Sequence, residues 1–287
     1  MKIGVFATFL APKMTPEIVG DVARQVEDAG LDSLWVGEHV LLFDDMEFPF
    51  PNTRDGKFPF PPGAGMPDPV VTLAFLSSIT IRLRLGMGIA ILPQRNPVYT
   101  AKEFATLDWL SGGRVDFGVG IGWCKEEVVA CGYTFGDRGE RTNEALEMIK
   151  KLWTEDQTTY LGKHYQLNAG RMDPKPVQHP HIPIIVGGHS PAALKRAAKF
   201  GDGWIGFSLN PKVTEDLISQ LENALAAAGR TREGFEIIVA PNRLDDDRVR
   251  EFKSLGVDRL LPILSYENAT DLSNQISNLK RYAGIGA

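Results

Sequence analysis

Two neighbouring side chains with acid–base chemistry, Glu38 and His39, follow the second apolar run of the chain. Histidine titrates near neutral pH and is the side chain most often used as a general acid or base, and a nearby carboxylate can orient it. If the run is a buried strand, one or both side chains can enter a cavity at its C-terminal end. A histidine at a strand end is more often structural than catalytic, so the pair alone leaves both interpretations open.

Glycines interrupt the next two apolar runs. Gly86 and Gly88 lie within residues 85–93, and Gly118 and Gly120 lie at the end of the following run. Glycine inside a strand often marks a bulge or a close approach by a ligand. The alternative is room for tight packing inside a barrel. Because both pairs fall toward the same end of neighbouring strands, we predict a flat ligand that lies across them.

A third candidate is the turn Gly187-Gly188-His189-Ser190, which precedes a predicted helix at Pro191. Glycine amides ahead of a helix N-terminus can form an anion site, and the Ser190 hydroxyl can contribute to it. The turn therefore indicates a phosphate cradle. Ordinary capping of the helix by Ser190 explains the same residues equally well.

Other kinds of chemistry have less support. Cys124 and Cys131 are interpreted as ordinary intracellular thiols, and His179-Pro180-His181 is too constrained for a metal-binding pair. The sequence has neither a Walker motif nor the Cys/His spacing of a zinc site, so we expect no metal. No Ser-His-Asp order can be assigned.

The elements that position these residues are indicated by a repeated local pattern, in which a short polar residue and a proline precede a helical apolar pattern. The polar side chain can cap the helix, and proline is tolerated at the first helical position because its missing N–H has no helical partner. The pairs are Thr15-Pro16, Asp68-Pro69, Asn96-Pro97, Ser190-Pro191 and Asn210-Pro211, and left-handed glycine caps are expected at Gly30, Gly201, Gly229 and Gly256.

Between the helices lie short, uniformly apolar runs, which are typical of parallel strands buried on both faces. Eight such strands, each followed by a helix, predict a single (β/α)₈ TIM barrel over residues 1–287. An open doubly wound sheet is the alternative, but its G-x-G-x-x-G fingerprint is missing after the first strand. The predicted strands lie near residues 2–8, 33–38, 83–91, 115–120, 182–187, 203–207, 235–239 and 258–263.

Two segments interrupt this alternation. Residues 40–67 form a long, proline-rich loop after the second strand, at the barrel face where active sites of this fold form. We interpret it as a lid over an apolar substrate, with Phe48, Phe58 and Phe60 as contacts; a surface loop docked by its own aromatic residues is the alternative. Residues 157–181 predict a hairpin before the fifth strand, and because it follows a helix we expect it at the opposite face.

Composition sets the limits of the function. The net charge is −5 and hydrophobic residues make up 43% of the 287 residues, so neither nucleic acid nor an anionic membrane is an expected partner. No apolar run approaches the ~18 residues that would span a bilayer. The apolar start, Ile3 to Ala11, is interpreted as a first strand rather than a signal peptide, and two cysteines fit a reducing compartment. We therefore expect a cytoplasmic protein with a small-molecule substrate.

Together the motifs resemble those of luciferase-like flavin and deazaflavin oxidoreductases. The resemblance covers nearly the whole chain and is strongest over residues 1–205. It implies the barrel, and it implies homodimers as a common assembly. The matching stretches include Ser33-Leu34-Trp35-Val36-Gly37-Glu38-His39, Leu92-Pro93, Arg95-Asn96-Pro97, Leu110-Ser111-Gly112-Gly113-Arg114, Gly118-Val119-Gly120 and Asp202-Gly203-Trp204.

The resemblance also implies roles for single residues. Glu38 and His39 would border the ring of a deazaflavin, with His39 as the acid or base. A non-proline cis peptide would support the ring, and a glycine turn would contact the phosphate. The implied cofactor contacts are Glu38, Gly88, Ile89 and Ala90 for the ring and Gly187, Gly188, His189 and Ser190 for the phosphate.

Two departures from the family pattern bear on the substrate and the cofactor. Trp123 stands where sugar-phosphate dehydrogenases of the family have glutamate, which puts that activity in doubt and suggests an apolar or planar substrate in contact with Trp123. Thr142 stands where many FMN-using monooxygenases have tyrosine, which favours coenzyme F420. The predicted function is F420-dependent hydride transfer; an FMN-dependent monooxygenase and a non-catalytic cofactor- or ligand-binding barrel are the alternatives.

Overall fold

The computed structural model describes residues 1–43, 46–51, 53, 55–57, 60 and 63–285. Its main sheet is parallel throughout and closes on itself. The strands are β1 (Lys2–Ile3), β2 (Val5–Ala7), β3 (Ser33–Val36), β4 (Arg84–Ile91), β5 (Val115–Gly120), β8 (Ile184–Gly187), β9 (Gly203–Leu209), β10 (Glu236–Pro241), β11 (Arg259–Leu260) and β12 (Ile263–Leu264), and the hairpin β6 (Thr158–Leu161) and β7 (Gln166–Gly170) is separate.

Closure follows from the register of the first and last strands. Ile3 pairs with Leu260, and Phe6 pairs with Ile263. Only Gly4 separates β1 from β2, so these two pieces form one barrel strand, as do β11 and β12. The sheet therefore has eight barrel strands, and the predicted TIM barrel is confirmed.

Helices surround the barrel, and the predicted N-terminal caps are present. In all five polar-proline pairs the polar side chain accepts a hydrogen bond from a backbone N–H of the first turn. Gly201 has an extended backbone with φ of −84°, so the left-handed cap predicted there is wrong. The helices are α1 (Pro16–Asp28), α2 (Pro69–Ile79), α3 (Pro97–Ser111), α4 (Lys125–Ala130), α5 (Arg138–Thr154), α6 (Pro191–Phe200), α7 (Pro211–Ala227), α8 (Asp246–Ser254) and α9 (Ala269–Ala283), with a 3₁₀ turn at Leu92–Gln94.

The interior of the barrel is layered. At the N-terminal ends of the strands, buried Arg259 bonds Asp116 at 2.7 Å and Glu236 at 2.8 Å. Burial alone would raise the pKa of Asp116, but Arg259 and Arg84 hold that pKa below its ordinary value. Above this ionic layer lies an apolar layer, which closes the barrel below its C-terminal mouth; its members are Phe6, Trp35, Ile185, Ile205, Ile238, Ala240 and Leu261.

The glycines of β4 and β5 make room for this packing. A Cβ at Gly86 would lie 2.1 Å from the Trp35 ring, and one at Gly118 would lie 1.9 Å from the Met87 carbonyl oxygen. A Cβ at Gly120 would lie 1.8 Å from Ile89 Cδ1. At these three positions the protein itself fills the space, so tight packing explains the glycines.

The hairpin of β6 and β7 is present before β8, as predicted, but its tip is not at the opposite face. The tip folds back along α5 toward the N-terminus of that helix, where Lys163 Nζ lies 2.7 Å from a Glu140 oxygen. The backbone N–H groups of Lys163 and His164 donate to Glu144. The expectation that the whole segment lies away from the catalytic face of the barrel is therefore wrong, because Glu140 and Glu144 on α5 bind the tip near the N-terminus of that helix.

Candidate active site

The floor of the candidate site is the apolar layer at the mouth of the barrel. The Phe6 and Phe207 rings meet edge to face across it, with centroids 5.4 Å apart. Ile89 and Phe207 pack on this layer and remain partly exposed. The Gly88–Ile89 peptide is cis, as the resemblance implied, and the register of β4 against β5 shifts between Met87 and Ala90. One of the two features that a glycine in a strand can mark, a bulge, is therefore present in β4 beside the floor.

His39 follows β3 at the C-terminal mouth of the barrel, and among the described residues a carboxylate from a distant part of the chain contacts it. His39 Nδ1 is 2.9 Å from Oε2 of Glu127, in the first turn of α4. The Glu127 side chain is 1% exposed and the His39 side chain 13% exposed. The site therefore contains a carboxylate–imidazole pair, in which a buried acid contacts a histidine that reaches the surface.

Glu38, the sequence neighbour of His39, makes different contacts. One Glu38 oxygen accepts from Arg95, at 2.7 Å from Nε and 2.6 Å from Nη2, and the other accepts from the backbone N–H of Ile91 at 2.5 Å. Burial raises the pKa of Glu38, and Arg95 opposes that shift. Adjacent residues of an extended chain point to opposite sides, which separates Glu38 from His39. Through these hydrogen bonds Glu38 connects the segment after β3 with the end of β4.

The aromatic residues predicted to contact a substrate are placed differently from one another. Trp123 meets the His39 ring edge to face at 5.8 Å, and the ring of Phe50 meets Trp123 at 5.2 Å. Phe48 stacks on Phe135 at 5.6 Å and is 42% exposed, so it docks the loop onto the protein. Phe60 is half-buried, and Phe58 lies outside the described residues.

The long loop is attached at both ends to the mouth. Its first residues, Val40 and Leu41, donate backbone N–H groups to Glu127, and the N–H of Glu47 donates to Glu126 at 2.7 Å. At the other end, Gly65 pairs with Ala11 in an antiparallel bridge. The described ends of the loop therefore lie at the C-terminal face, as predicted, beside the segments that follow β2 and β5.

The turn between β8 and α6 has the backbone that an anion site needs. Gly188 has φ of 119°, a conformation that favours glycine, and the Ser190 hydroxyl caps α6 by accepting from the N–H of Ala193 at 3.2 Å. His189 Nε2 accepts from the N–H of Phe207 at 3.1 Å, and burial lowers the pKa of His189. His189 is therefore neutral and links this turn to the floor.

Other candidate chemistry has little support at this site. Burial raises the pKa of Cys124 to about 11, so this thiol is not a nucleophile at neutral pH. Within the described ranges, no cluster of His, Cys, Asp and Glu side chains is arranged to hold a metal ion. None of the described helices is long and apolar enough to cross a membrane.

Sequence reasoning missed Glu127, Arg95 and Phe207. Glu127 is 88 residues from His39, so no local pattern links the two. One available signal was the acidic pair Glu126-Glu127 in the segment that follows a barrel strand, since residues there can reach the mouth. Arg95 was noted for its motif but not for its charge.

The fold and site define a parallel (β/α)₈ barrel with an acid–base pair at its C-terminal mouth. The model of one such family, the luciferase-like monooxygenases, matches residues 1–251. The chain belongs to this family. F420-dependent and FMN-dependent enzymes both occur among the solved structures that share its fold.

Three comparisons illustrate the range of relatives. An uncharacterised protein of Mycobacterium tuberculosis is 34% identical over 259 residues, 90% of each chain. An F420-dependent glucose-6-phosphate dehydrogenase of Kineococcus radiotolerans is 33% identical over 240 residues, 80% of this chain and 64% of its own length. The FMN complex of a type II Baeyer–Villiger monooxygenase from Pseudomonas putida superposes with a TM-score of 0.74 at 13% identity, and the match covers 99% of this chain and 97% of that one.

Proposed function

We propose that this protein is an F420-dependent oxidoreductase that transfers hydride between the deazaflavin and a small, apolar or planar organic substrate. The observation that carries the proposal is the His39–Glu127 pair at the mouth of a barrel with an apolar floor. The relative from Kineococcus radiotolerans, which is named F420-dependent, supports the choice of cofactor.

The residues at the mouth fit a ring with a phosphate-bearing tail. Ile89 and Phe207 offer apolar surface to a flat ring, with Gly88 beside Ile89 on β4 and the buried Phe6 ring beneath. Ala90, which the resemblance also implied as a ring contact, is fully buried and offers no surface to it. Gly188 and Ser190 are exposed at the N-terminus of α6, where backbone N–H groups and the helix dipole favour an anion. The Ser190 hydroxyl can cap the helix and still donate its hydrogen to a phosphate, so the two explanations of this turn are compatible.

A bound deazaflavin would supply a carbon that accepts or gives up a hydride. A side chain of the protein must then accept or donate the proton that accompanies the hydride transfer. In the oxidation of an alcohol, His39 would take the hydroxyl proton while the cofactor accepts the hydride from carbon. In the reduction of a carbonyl, His39 would return the proton to the oxygen while the reduced cofactor supplies the hydride. Glu38 holds Ile91 and Arg95 in place, and His189 holds Phe207.

Trp123 and Phe50 form an aromatic wall beside His39, and we infer that the described parts of the long loop limit access of water to it. Trp123 is an uncharged aromatic side chain at the position where sugar-phosphate dehydrogenases of the family have glutamate, so we infer an apolar or planar substrate. Phe60 is a further candidate contact, because it lies half-buried in the same loop.

The cofactor assignment is tested by fluorescence titration with F420 and, separately, with FMN. Saturable micromolar binding of F420 with little affinity for FMN is the expected result. A preference for FMN would replace this proposal with a monooxygenase, which oxygen-uptake assays would then examine, and binding of neither would indicate a non-enzymatic barrel.

The role of His39 is tested by His39→Ala, with His164→Ala on the hairpin as a matched control. We expect His39→Ala to lower turnover by at least 10²-fold and to leave the Kd for the cofactor unchanged. Unchanged turnover in this variant would remove His39 from the mechanism.

We further propose that two copies associate through α2 and α3. These neighbouring helices carry large exposed apolar side chains, of which Val71 is 70%, Tyr99 71% and Trp109 57% exposed. Light scattering should give a dimer for the native protein and a monomer for Trp109→Lys, whereas Leu161→Lys on the hairpin should stay dimeric. A monomeric native protein would exclude this surface as a dimer interface.

The two unpaired thiols are consistent with a cytoplasmic protein.

A further inference from the structure

The carboxylate of Glu127 is buried and receives several hydrogen bonds from two neighbouring segments. Its Oε2 faces His39 Nδ1 at 2.9 Å. Its Oε1 accepts from the N–H of Val40 at 2.5 Å and of Leu41 at 3.5 Å, and from Gln94 Nε2 at 3.3 Å. A buried carboxylate is tolerated only with such partners. The two oxygens thus bind different groups, one the imidazole and the other the base of the long loop.

The contact with Oε2 determines which nitrogen of His39 carries the proton. An ionised carboxylate only accepts hydrogen bonds, so the nitrogen that faces it must donate. In the neutral imidazole the proton is therefore on Nδ1, and Nε2 carries the lone pair. Gln94 contacts the other Glu127 oxygen, to which its amide nitrogen donates at 3.3 Å.

We propose that Glu127 is a positioning residue that holds His39 in the Nδ1–H form, with Nε2 presented as the proton acceptor, and that fixes the first residues of the loop with the same carboxylate. This inference rests on the proposed function, in which His39 moves a proton. It extends that function by making the state of the imidazole and the attachment of the loop depend on one side chain.

The geometry explains why one group can serve both purposes. His39, Val40 and Leu41 are consecutive residues at the point where the chain leaves β3 and becomes the loop. A shift of α4 would move all three together. Gln94 adds a link to the end of β4, and its Oε1 is buried without a hydrogen-bond partner in the described part of the chain. That oxygen can accept from a water molecule or a donor that enters the site.

The first test is the tautomer of His39 in the cofactor-free protein, measured by ¹⁵N NMR of the imidazole. The native protein should carry the proton on Nδ1. Glu127→Gln replaces an obligate acceptor with an amide that can donate, so we expect the proton to move to Nε2. A proton on Nε2 in the native protein would overturn the proposal, even if the variant did not fold.

Glu126→Gln is the matched control. It removes the same charge from the neighbouring position of α4. In the native protein the Glu126 carboxylate accepts hydrogen bonds from the N–H of Glu47 and from the Cys124 thiol. This variant should loosen the loop at Glu47 and leave the His39 spectrum unchanged. The same spectral change in both variants would mean that charge alone, rather than the contact with Nδ1, sets the tautomer, and would overturn the proposal.

The second test is a double-mutant cycle on turnover. Glu127→Gln should lower kcat by roughly 10²-fold and change the Kd for the cofactor by no more than about twofold. In the His39→Ala background the same change should have almost no effect, because it acts through the imidazole. Additive losses would contradict the proposal. If His39→Ala alone were fully active, the proposed function would fail while the NMR result would still stand, so the two failures are distinguishable.

Discussion

The ionic layer at the N-terminal end of the barrel makes a strong prediction about stability. Arg259 is 2% exposed and contacts three carboxylates, those of Asp116, Glu236 and Asp32. Arg259→Met keeps much of the side-chain volume and removes the charge. Three acids would then keep two cations: the guanidinium of Arg84, which bonds Asp116, and the ammonium of Lys2, which lies 3.7 Å from Asp32 and is more exposed.

The size of the effect follows from burial. Removing one partner of a buried ion pair costs about 3–5 kcal/mol, because the remaining charge keeps its desolvation penalty. With three carboxylates affected, we expect the upper end of that range, or a melting temperature lowered by roughly 10 °C. Arg250→Met is the matched control, since Arg250 pairs with Asp247 on an exposed surface and should cost little.

The stability difference between the native protein and Arg259→Met should depend on pH, because the substitution changes the pKa of Asp116. In the native protein, cations hold the pKa of Asp116 below its ordinary value of 3.8, so its contribution to stability is complete above that pH and is lost as the pH falls through the lowered value. Without Arg259, burial dominates and raises the pKa of Asp116. The variant therefore gains stability relative to the native protein in acid, and the difference between them should shrink as the pH drops from 7 to about 4.

The measurement is urea unfolding, followed by tryptophan fluorescence and circular dichroism, at both pH values. Equal midpoints for the native protein and Arg259→Met at pH 7 would refute the account of the ionic layer. A stability difference that grows in acid would refute the assignment of Asp116 as the group that depends on Arg259.

Three further predictions concern the scaffold. Gly118→Ala should destabilise the cofactor-free protein by about 2–3 kcal/mol, because its Cβ would lie 1.9 Å from the Met87 carbonyl oxygen and the strands must separate; loss of cofactor binding with an unchanged urea midpoint would instead favour a ligand at Gly118. Asn96→Ala should cost about 1 kcal/mol, since Asn96 caps α3 through the N–H groups of Val98 and Tyr99, and a loss below the error of urea unfolding would contradict that role. His189→Phe should weaken cofactor binding by displacing Phe207 while leaving the His39 spectrum unaltered, and wild-type affinity in this variant would show that the link to Phe207 is dispensable.

Much of the fold could be predicted from the sequence because its signals are local. A polar residue before a proline caps a helix wherever the chain places it, and all five such pairs do so here. Uniformly apolar runs give the eight barrel strands, since parallel strands are buried on both faces. The position of His39 at a strand end, and hence at the mouth, follows from the same pattern.

The partners of the site residues were decided only by tertiary structure. Nothing near Glu38 or His39 in the sequence indicates that Glu38 bonds Arg95 while His39 bonds Glu127, because these contacts join different barrel strands and loops. The path of the hairpin was likewise decided by Glu140 and Glu144 on α5.

The glycines of β4 and β5 show most clearly what the sequence determines and what only the tertiary structure determines. The sequence by itself determined that β4 and β5 contain glycines near the ligand-binding end of a barrel, but spacing alone could not say whether a ligand or a side chain fills the room. In the folded chain the Trp35 ring occupies the space at Gly86 and Ile89 occupies that at Gly120. Local sequence specifies backbone conformation and which faces are buried, whereas the identity of the atoms that meet there depends on strand order, register and barrel closure.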